Sequence, residues 1–287
     1  MRAIVTGASG LVGSRIVRVL EKRGHEVIEL SRADVELSDE KSVRSAVHRA
    51  KANIVFNPAS MTEVDKCEAD RERAFRDNVL AAANLAIACR ASGAHLVHVS
   101  TDYVFDGERG PYSEDDQPNP RGVYAKTKRM GEVAVEMLAG SFAIARTAVV
   151  YGIPQAIRSN FGAWLIGQLA QNAPVKLFSD QFVSPSLADN VAEMLVELGE
   201  RKLGGIWNIA GAEVVSRVDF GLAFCNELGF DPALVIPTRL AELKLASPRP
   251  LHSGLIVDKA LTELQNKPLS ITASLRRLKN MYSAIKT

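Results

Sequence analysis

Residues 5–13, with the sequence VTGASGLVG, decide the fold of this chain. They follow the apolar run RAIV (residues 2–5) and lead into the amphipathic run LVGSRIVRVLEK (residues 11–22), so a buried strand, a glycine turn and a helix come in that order. Gly7 allows a tight turn, Gly10 lets the backbone approach a pyrophosphate, and Gly13 allows the helix to pack closely on the strand. The segment predicts a dinucleotide-binding turn at the start of an α/β fold.

Short apolar runs alternate with longer amphipathic segments through the first half of the chain. The runs HEVIEL (25–30), NIVFNPAS (53–60), HLVHVSTDYVF (95–105) and FAIARTAVVYG (142–152) read as further strands. This alternation is typical of right-handed βαβ crossovers. We therefore predict an α/β fold with a doubly wound, Rossmann-like parallel sheet over residues 1–152. A smaller, mainly substrate-binding domain is predicted over residues 153–287, with a tail that can return one strand or helix to the first domain.

Composition narrows the classes of partner. The chain has 287 residues, 47% hydrophobic, and a net charge of +2 without long blocks of one sign, so neither nucleic acid nor a membrane is a predicted partner. The 3 cysteines and 5 histidines lack metal-ligand spacing, and no metal site is predicted. The sequence shows neither a signal-peptide pattern nor an apolar stretch of about 18 residues, so we predict a cytoplasmic location.

The end of the second strand bears on the choice of dinucleotide. NAD sites usually place an acidic residue there to hold the ribose hydroxyls, but this chain has Ser31 and Arg32. The planar guanidinium of Arg32 could pair with a 2′-phosphate. NADP(H) is therefore the favoured cofactor. NAD(H) remains open, with Glu29 as the acidic alternative.

Polar residues at the strand ends and on one helix suggest redox chemistry. Thr101 follows the apolar run LVHVS, at the carboxyl end of a predicted strand. Ligands bind at such strand ends in open α/β sheets. In VYAKTKRMGE (123–132), Tyr124 and Lys128 are four residues apart and share a helix face, whereas Lys126 points elsewhere. A phenol has a pKa of about 10, and a nearby ammonium is expected to lower it. We predict that Thr101, Tyr124 and Lys128 reduce a carbonyl, with Tyr124 as proton donor.

The motifs TGASGLVG, STDYVFDG (100–107) and YAKTK (124–128) together resemble the extended short-chain dehydrogenase/reductases. The resemblance is strongest to the dTDP-4-dehydrorhamnose reductase family, and it extends over the chain to DQFVSPS (180–186) and SPRP (247–250). It implies a Thr–Tyr–Lys catalytic set, which falls on Thr101, Tyr124 and Lys128. It also implies reduction of the 4-keto group of a nucleotide-activated 6-deoxysugar with NADPH or NADH.

Further contacts follow from the same resemblance and from the strand ends. The predicted cofactor contacts are Gly7, Ser9, Gly10, Leu11, Val12, Gly13, Ser31, Arg32, Asp34, Val35, Asn57, Pro58, Ala59, Ser60 and Ser100, with Tyr124 and Lys128. The predicted substrate contacts are Asp102, Tyr103, Gln181, Phe182 and Arg249. The expected partner is a nucleotide-sugar-like small molecule, and a homodimer is left open.

Three departures from the family pattern keep other functions open. Val149 stands where members commonly carry Trp, Pro248 replaces the first of two arginines, and Pro58 replaces a small residue. One alternative is an epimerase or dehydratase of the same superfamily, because Asp102 supplies an acidic group beside Thr101. Another is a non-catalytic, NADP-binding regulatory subunit like the methionine adenosyltransferase β subunit, for which an altered sugar pocket is expected.

Overall fold

The computed structural model describes residues 1–153 and 160–286. Its strands, numbered in chain order, are β1 Arg2–Thr6, β2 Glu26–Leu30, β3 Ile54–Asn57, β4 His95–Thr101, β5 Phe142–Thr147, β6 Val150–Tyr151, β7 Val175–Phe178, β8 Phe182–Val183, β9 Ser186–Leu187, β10 Gly205–Asn208, β11 Val215–Ser216 and β12 Val235–Thr238. Its α-helices are α1 Leu11–Lys22, α2 Glu40–Ala50, α3 Val64–Ala69, α4 Arg71–Phe75, α5 Ala81–Ser92, α6 Gly122–Leu138, α7 Phe161–Leu169, α8 Ala188–Glu200, α9 Arg217–Leu228, α10 Asp258–Glu263 and α11 Ile271–Lys286. A π-helical turn, Arg76–Leu80, joins α4 to α5.

Six of these strands form one parallel sheet in the order β2-β1-β3-β4-β5-β10. The strand order reverses between β1 and β3, because β2 lies on one side of β1 and the later strands of this sheet lie on the other side. In doubly wound sheets the crevice at such a reversal, outside the carboxyl ends of the strands, is where ligands bind. The topology therefore places the turn after β1 and the ends of β3 and β4 at one edge.

Helices cover both faces of the sheet, because the strands are apolar on both sides. One face packs against α1, α8 and α10 through a core that includes Ile16, Leu195 and Trp207. The other face packs against α2, α5 and α6 around Val47, Leu85 and neighbouring aliphatic residues. The predicted doubly wound α/β fold is confirmed.

The remaining elements form a smaller unit with its own core. That core joins β7, α7, α9, β12 and α11, and its largest buried side chains include Tyr151, Phe220 and Phe224. Residues after 152 also serve the main sheet, because β10 pairs with β5, α8 packs on α1, and α10 contacts β10. The chain thus crosses between the two units more than once.

Within residues 1–153 and 160–286, no helix combines the length and the apolar character needed to cross a membrane.

Candidate active site

A cleft of about 710 Å³ opens at the carboxyl edge of the sheet. The turn after β1, the ends of β2, β3 and β4, and the first turns of α6 form its walls. The predicted site residues that line it are Gly7, Ser9, Gly10, Leu11, Val12, Gly13, Ser31, Arg32, Val35, Pro58, Ala59, Ser60, Ser100, Thr101, Asp102, Tyr103, Tyr124 and Lys128. The fold therefore brings the glycine turn and the predicted catalytic residues Thr101, Tyr124 and Lys128 to one cavity.

The glycine turn has no room for side chains at its two ends. Gly7 has φ +54°, and a Cβ there would lie 3.0 Å from Ala59 Cα. A Cβ on Gly13 would lie 2.2 Å from the carbonyl oxygen of Gly7. Gly10 begins α1 without a side-chain capping hydrogen bond, and the first turn of α1 carries no acidic residue. The helix terminus therefore presents main-chain N–H groups and positive potential to the cleft, which suits a diphosphate.

Arginine and carboxylate side chains meet at the edge of the cleft near the end of β2. Arg32 Nη2 donates to Asp77 Oδ2 at 3.0 Å, and Arg73 Nε lies 3.4 Å from the same oxygen. Both arginines line the cleft, and Asp77 holds them close together. Glu29, the acidic alternative for an NAD site, does not line the cleft. This pair of guanidinium groups fits a 2′-phosphate.

Hydrogen bonds and ring packing hold the three predicted catalytic residues, Thr101 at the end of β4 and Tyr124 and Lys128 on α6. Thr101 Oγ1 donates to Asp102 Oδ1 at 3.0 Å and accepts from the Tyr103 main-chain N–H at 3.2 Å. Tyr124 is 8% exposed, and its ring packs edge-on against that of Tyr103. Lys128 Nζ donates to the Val99 carbonyl oxygen at 2.7 Å. These groups converge on one part of the cleft wall.

Burial governs the protonation of this set. Burial raises the pKa of Tyr124, and a hydrogen bond with the Thr101 hydroxyl opposes the rise only in part. Burial lowers the pKa of Lys128 to about 8, against the opposing charge of Glu132. The expectation that Lys128 lowers the pKa of Tyr124 is therefore wrong for this arrangement, because desolvation outweighs other effects and the ammonium binds the main chain.

Asp102 lines the cleft, and both oxygens of its carboxyl group accept hydrogen bonds from the protein. Its Oδ2 accepts from Ser253 Oγ at 2.6 Å, while its Oδ1 accepts from Thr101. Burial raises the pKa of Asp102 to about 6, and these two hydrogen bonds act in the opposite direction. With both oxygens occupied, the carboxyl group orients the Thr101 hydroxyl. Because both oxygens of Asp102 are engaged in this way, the residue is less suited to act as the additional acid that a dehydratase needs beside Thr101.

Two predicted cofactor contacts do not line the cleft. Asp34 Oδ2 accepts hydrogen bonds from the N–H and hydroxyl of Ser31, so the carboxylate turns back onto its own loop. Asn57 is buried in the sheet, where its side chain accepts from Thr6 Oγ1 at 2.7 Å and contacts His98 Nδ1 at 3.0 Å. Asp34 thus shapes the loop and Asn57 joins strands, and the structure does not support direct contact by either.

Three predicted substrate contacts also lie outside the cleft wall. Gln181 is buried and donates to the Pro250 carbonyl oxygen at 3.0 Å. The Phe182 ring stacks on His252 at a centroid distance of 5.1 Å. Arg249 Nη2 pairs with Asp65 Oδ2 at 2.7 Å. Each side chain is held by tertiary contacts that sequence motifs do not reveal, and the structure does not support direct contact for any of them.

Arg217 is a cleft residue that sequence reasoning missed. It is the first residue of α9, lines the cleft, and stacks its guanidinium carbon 4.7 Å from the centre of the Phe161 ring. No motif surrounds it, and it reaches the cleft from the smaller unit, where α9 packs on β7, β11, β12 and α11. Val149, the position of the family departure, also lines the cleft and has the strained φ of +40°.

Metal ligands are not grouped in the described part of the chain. Residues 1–153 and 160–286 hold no cluster of three or more His, Cys, Asp or Glu side chains suited to a metal ion.

Comparison with known proteins gives relatives over almost the whole chain. A reductase named as probable in low-salt glycan biosynthesis in Haloferax volcanii is 34% identical, covering 99% of this chain and 99% of that protein. The dTDP-4-dehydrorhamnose reductase of Streptomyces griseus is 39% identical, covering 88% of this chain and 85% of that protein. With relatives named as reductases over this coverage, the predicted class of NAD(P)-dependent oxidoreductase is confirmed.

Solved structures of two dTDP-4-dehydrorhamnose reductases have the same fold as this chain. A dTDP-4-dehydrorhamnose reductase of Clostridium acetobutylicum has a TM-score of 0.92 at 30% identity, covering 99% of this chain and 100% of that chain. The enzyme of the same name from Bacillus anthracis, solved in complex with NADP, has a TM-score of 0.90 at 26% identity, covering 100% of this chain and 99% of that chain. The family model described as the RmlD substrate binding domain matches residues 1–283. The chain therefore belongs to the RmlD substrate binding domain family, as its resemblance to the dTDP-4-dehydrorhamnose reductases predicted.

Proposed function

We propose that the protein is an NADP(H)-preferring reductase that transfers hydride to the keto group of a nucleotide-activated deoxysugar. The observation that carries this proposal is that Thr101, Tyr124 and Lys128 share one cleft with the glycine turn. The names of the relatives support a nucleotide sugar as the substrate class.

A bound nicotinamide dinucleotide supplies the hydride for the keto carbon. Tyr124 donates the phenolic proton to the keto oxygen as negative charge develops there. The Thr101 hydroxyl turns from Asp102 to that oxygen and stabilises it with a hydrogen bond. Because burial keeps the phenol protonated, Tyr124 is ready as an acid. The ammonium of Lys128 holds the nicotinamide ribose, and a proton from solvent restores the phenol after the transfer. The product is the alcohol.

Charge at the end of β2 supports NADP(H) over NAD(H). Arg32 and Arg73 meet at Asp77 and together offer a 2′-phosphate two guanidinium groups. The NADP complex of the Bacillus anthracis relative is consistent with this preference. NAD(H) remains a usable cofactor, because the glycine turn binds the diphosphate that both dinucleotides share.

Cofactor stoichiometry tests the proposal. NADPH consumption should be followed by absorbance with dTDP-, UDP- and GDP-linked 4-keto-6-deoxysugars, and product should form with one NADPH oxidised per sugar reduced. Turnover with the cofactor returned unchanged would instead identify an epimerase or dehydratase. A stoichiometric protein partner, with no NADPH oxidised on any keto-sugar, would identify a regulatory subunit and overturn the proposal.

A further inference from the structure

The helix that carries Tyr124 begins without a cap from its own sequence. At the N-cap position of α6, Arg121 makes no side-chain capping hydrogen bond within the described part of the chain, and the first turn contains no acidic residue. The first N–H groups of a helix have no partner inside the helix and need an acceptor from elsewhere. Tyr124 lies in this first turn, so the group that holds the turn also places the phenol.

Glu68 of α3 supplies an acceptor, although it is 55 residues away along the chain. Its Oε1 accepts from the main-chain N–H of Val123 at 2.7 Å. Val123 is the second residue of α6, where capping oxygens usually bind, and a carboxylate there also meets the positive end of the helix dipole. Cys67, next to Glu68 on α3, packs in one apolar cluster with Tyr124. A hydrogen bond and apolar side chains therefore both join α3 to the start of α6.

A third segment meets the same carboxylate oxygen. Ser247, in the connection between β12 and α10, is 2% exposed and donates its hydroxyl to Glu68 Oε1 at 3.0 Å. Gly122 lies against both side chains, because a Cβ there would be 2.4 Å from Ser247 Oγ and 2.9 Å from Glu68 Oε1. Its φ of +74° is also one that favours glycine. One oxygen of Glu68 thus joins α3, the start of α6 and the connection between β12 and α10.

The next turn of α6 is held separately. Asn78 Nδ2 donates to Thr127 Oγ1 at 3.1 Å, and Thr127 Oγ1 donates to the Tyr124 carbonyl oxygen at 3.0 Å. Tyr124 therefore lies between two anchors, and removal of Glu68 would release the N-terminal one. A proton donor must reach its acceptor at hydrogen-bond distance, so a small shift of this turn is enough to slow the transfer.

We propose that Glu68 is a positioning residue for the proposed reaction: its carboxylate holds the first turn of α6 and thereby places the Tyr124 phenol at the keto group. Glu68 is not among the described residues that line the cleft, so it acts through α6 and not on the substrate. Ser247 fixes the orientation of the carboxylate. The inference rests on the proposed function, since it concerns the proton donor of that reaction.

Amide exchange tests the hydrogen bond without any turnover. In Glu68→Ala, the main-chain N–H of Val123 should exchange with solvent roughly 10-fold faster or more, as measured by NMR, because its bond to a charged acceptor is lost. Asp65→Ala is the matched control, since Asp65 is a second carboxylate on α3 whose hydrogen bonds go to Ser247 and Arg249. In this control the Val123 N–H should keep its wild-type exchange rate. Unchanged exchange in Glu68→Ala would overturn the inference.

Kinetics separate the position of the oxygen from its charge. NADPH oxidation is followed with a dTDP-linked 4-keto-6-deoxysugar. Glu68→Asp keeps the charge but withdraws the oxygen by one methylene, and it should lower kcat roughly 10-fold because the acid is misplaced. Glu68→Gln keeps an acceptor oxygen at the same reach and should retain most of the wild-type kcat. The Kd of NADPH, measured by calorimetry, should stay at the wild-type value in both variants, because Glu68 lies outside the cleft wall.

The same control tells positioning from a general loss of stability. Asp65→Ala should lower stability and keep the wild-type kcat. An equal loss of kcat in Asp65→Ala and Glu68→Ala would overturn the inference, as would a wild-type kcat in both Glu68→Ala and Glu68→Asp. If the wild-type protein oxidised no NADPH on the keto-sugars, the proposed function would fail, and exchange at Val123 would still decide whether Glu68 holds α6. Reduction at the wild-type rate by the Glu68 variants would refute this inference alone.

Discussion

The glycine-turn side of the cleft and the Arg217 side are built from different kinds of groups. On the glycine-turn side, main-chain N–H groups at the start of α1 and the absence of side chains at Gly7 and Gly13 create the surface. On the Arg217 side, the surface includes side chains such as Arg217 of α9 and Phe161 of α7. Main-chain geometry is fixed by the fold, whereas side chains change with single substitutions.

This difference separates what the family has in common from what varies within it. A dinucleotide needs the turn after β1 in its exact shape, since a Cβ on Gly13 would collide with the Gly7 carbonyl group. The Arg217 side already carries one departure from the family pattern, Val149, in a fold that is otherwise shared. We therefore expect the chemistry to be general to the family and the choice of sugar nucleotide to depend on a few side chains.

The largest expected effect lies where the two sides meet, at Tyr124. Tyr124→Phe should lower kcat by roughly 10² to 10⁴-fold, the usual contribution of a positioned acid, because the variant lacks the proposed proton donor. The Kd of NADPH should stay within about twofold, since phenylalanine keeps the ring packing. Turnover with NADPH and binding by calorimetry measure the two quantities. Tyr282→Phe on α11 is the control, and a Tyr124→Phe kcat above about a tenth of wild type would contradict the assignment.

The pH dependence tests whether Lys128 links the two sides. Its pKa of about 8 lies below the ordinary 10.5 because burial penalises the charged form, so the ammonium predominates below pH 8 and is lost above it. The value of kcat/KM for NADPH, which reports on the free enzyme, should be level near neutral pH. It should then fall by up to tenfold per pH unit above about 8.

Lys126→Met on the exposed side of α6 should leave this profile unchanged. Burial keeps the Tyr124 phenol protonated over the same range, so Tyr124 does not produce the decline. A profile that stays level to about pH 10 would show that Lys128 keeps its charge in the enzyme or does not contribute.

The arginines near the end of β2 contribute side chains to the glycine-turn side, and Arg32 tests their role. Arg32→Ala should reduce the preference for NADPH over NADH by roughly 10-fold, because one charged hydrogen bond to the 2′-phosphate is lost and solvent screens it in part. The ratio of the two kcat/KM values measures the preference. Arg44→Ala serves as control. A wild-type enzyme that prefers NADH, with no change in the variant, would remove the argument for NADP(H).

The sequence was sufficient for the parts of the site that depend on local geometry. Gly7, Gly10 and Gly13 have a spacing that only a strand–turn–helix unit explains, and the four-residue spacing of Tyr124 and Lys128 puts them on one helix face. Thr101 was found because strand ends meet at one edge of a parallel sheet. Each of these inferences needs only a few neighbouring residues and the fold class.

The other positions depend on contacts between distant segments. Arg217 reaches the cleft because the fold places the smaller unit, which contains α9, at the edge of that cleft. Gln181 is held away from it by a hydrogen bond to Pro250, 69 residues later. The pKa of Tyr124 was misjudged for the same reason, since burial is a property of the whole fold. Sequence spacing therefore predicts the glycine-turn side better than the Arg217 side.

Arg249 provides the smallest expected effect and the sharpest contrast with Arg217. Its pair with Asp65, with side chains 14% and 46% exposed, ties the segment around Ser247 to α3, and Ser247 itself donates to Asp65 and Glu68. Arg249→Gln should lower the free energy of unfolding by about 1 kcal/mol or less, as partly exposed ion pairs do, and change the KM of the sugar nucleotide by less than about twofold. Asp65→Asn should have a similar effect on stability, and the double variant should lose less than the sum of the two, because both remove one interaction. Urea unfolding and steady-state kinetics measure these effects. If Arg249→Gln instead raised KM about tenfold with stability unchanged, the ion pair would have to open for the substrate, and the diphosphate would bind Arg249 as the family resemblance implied.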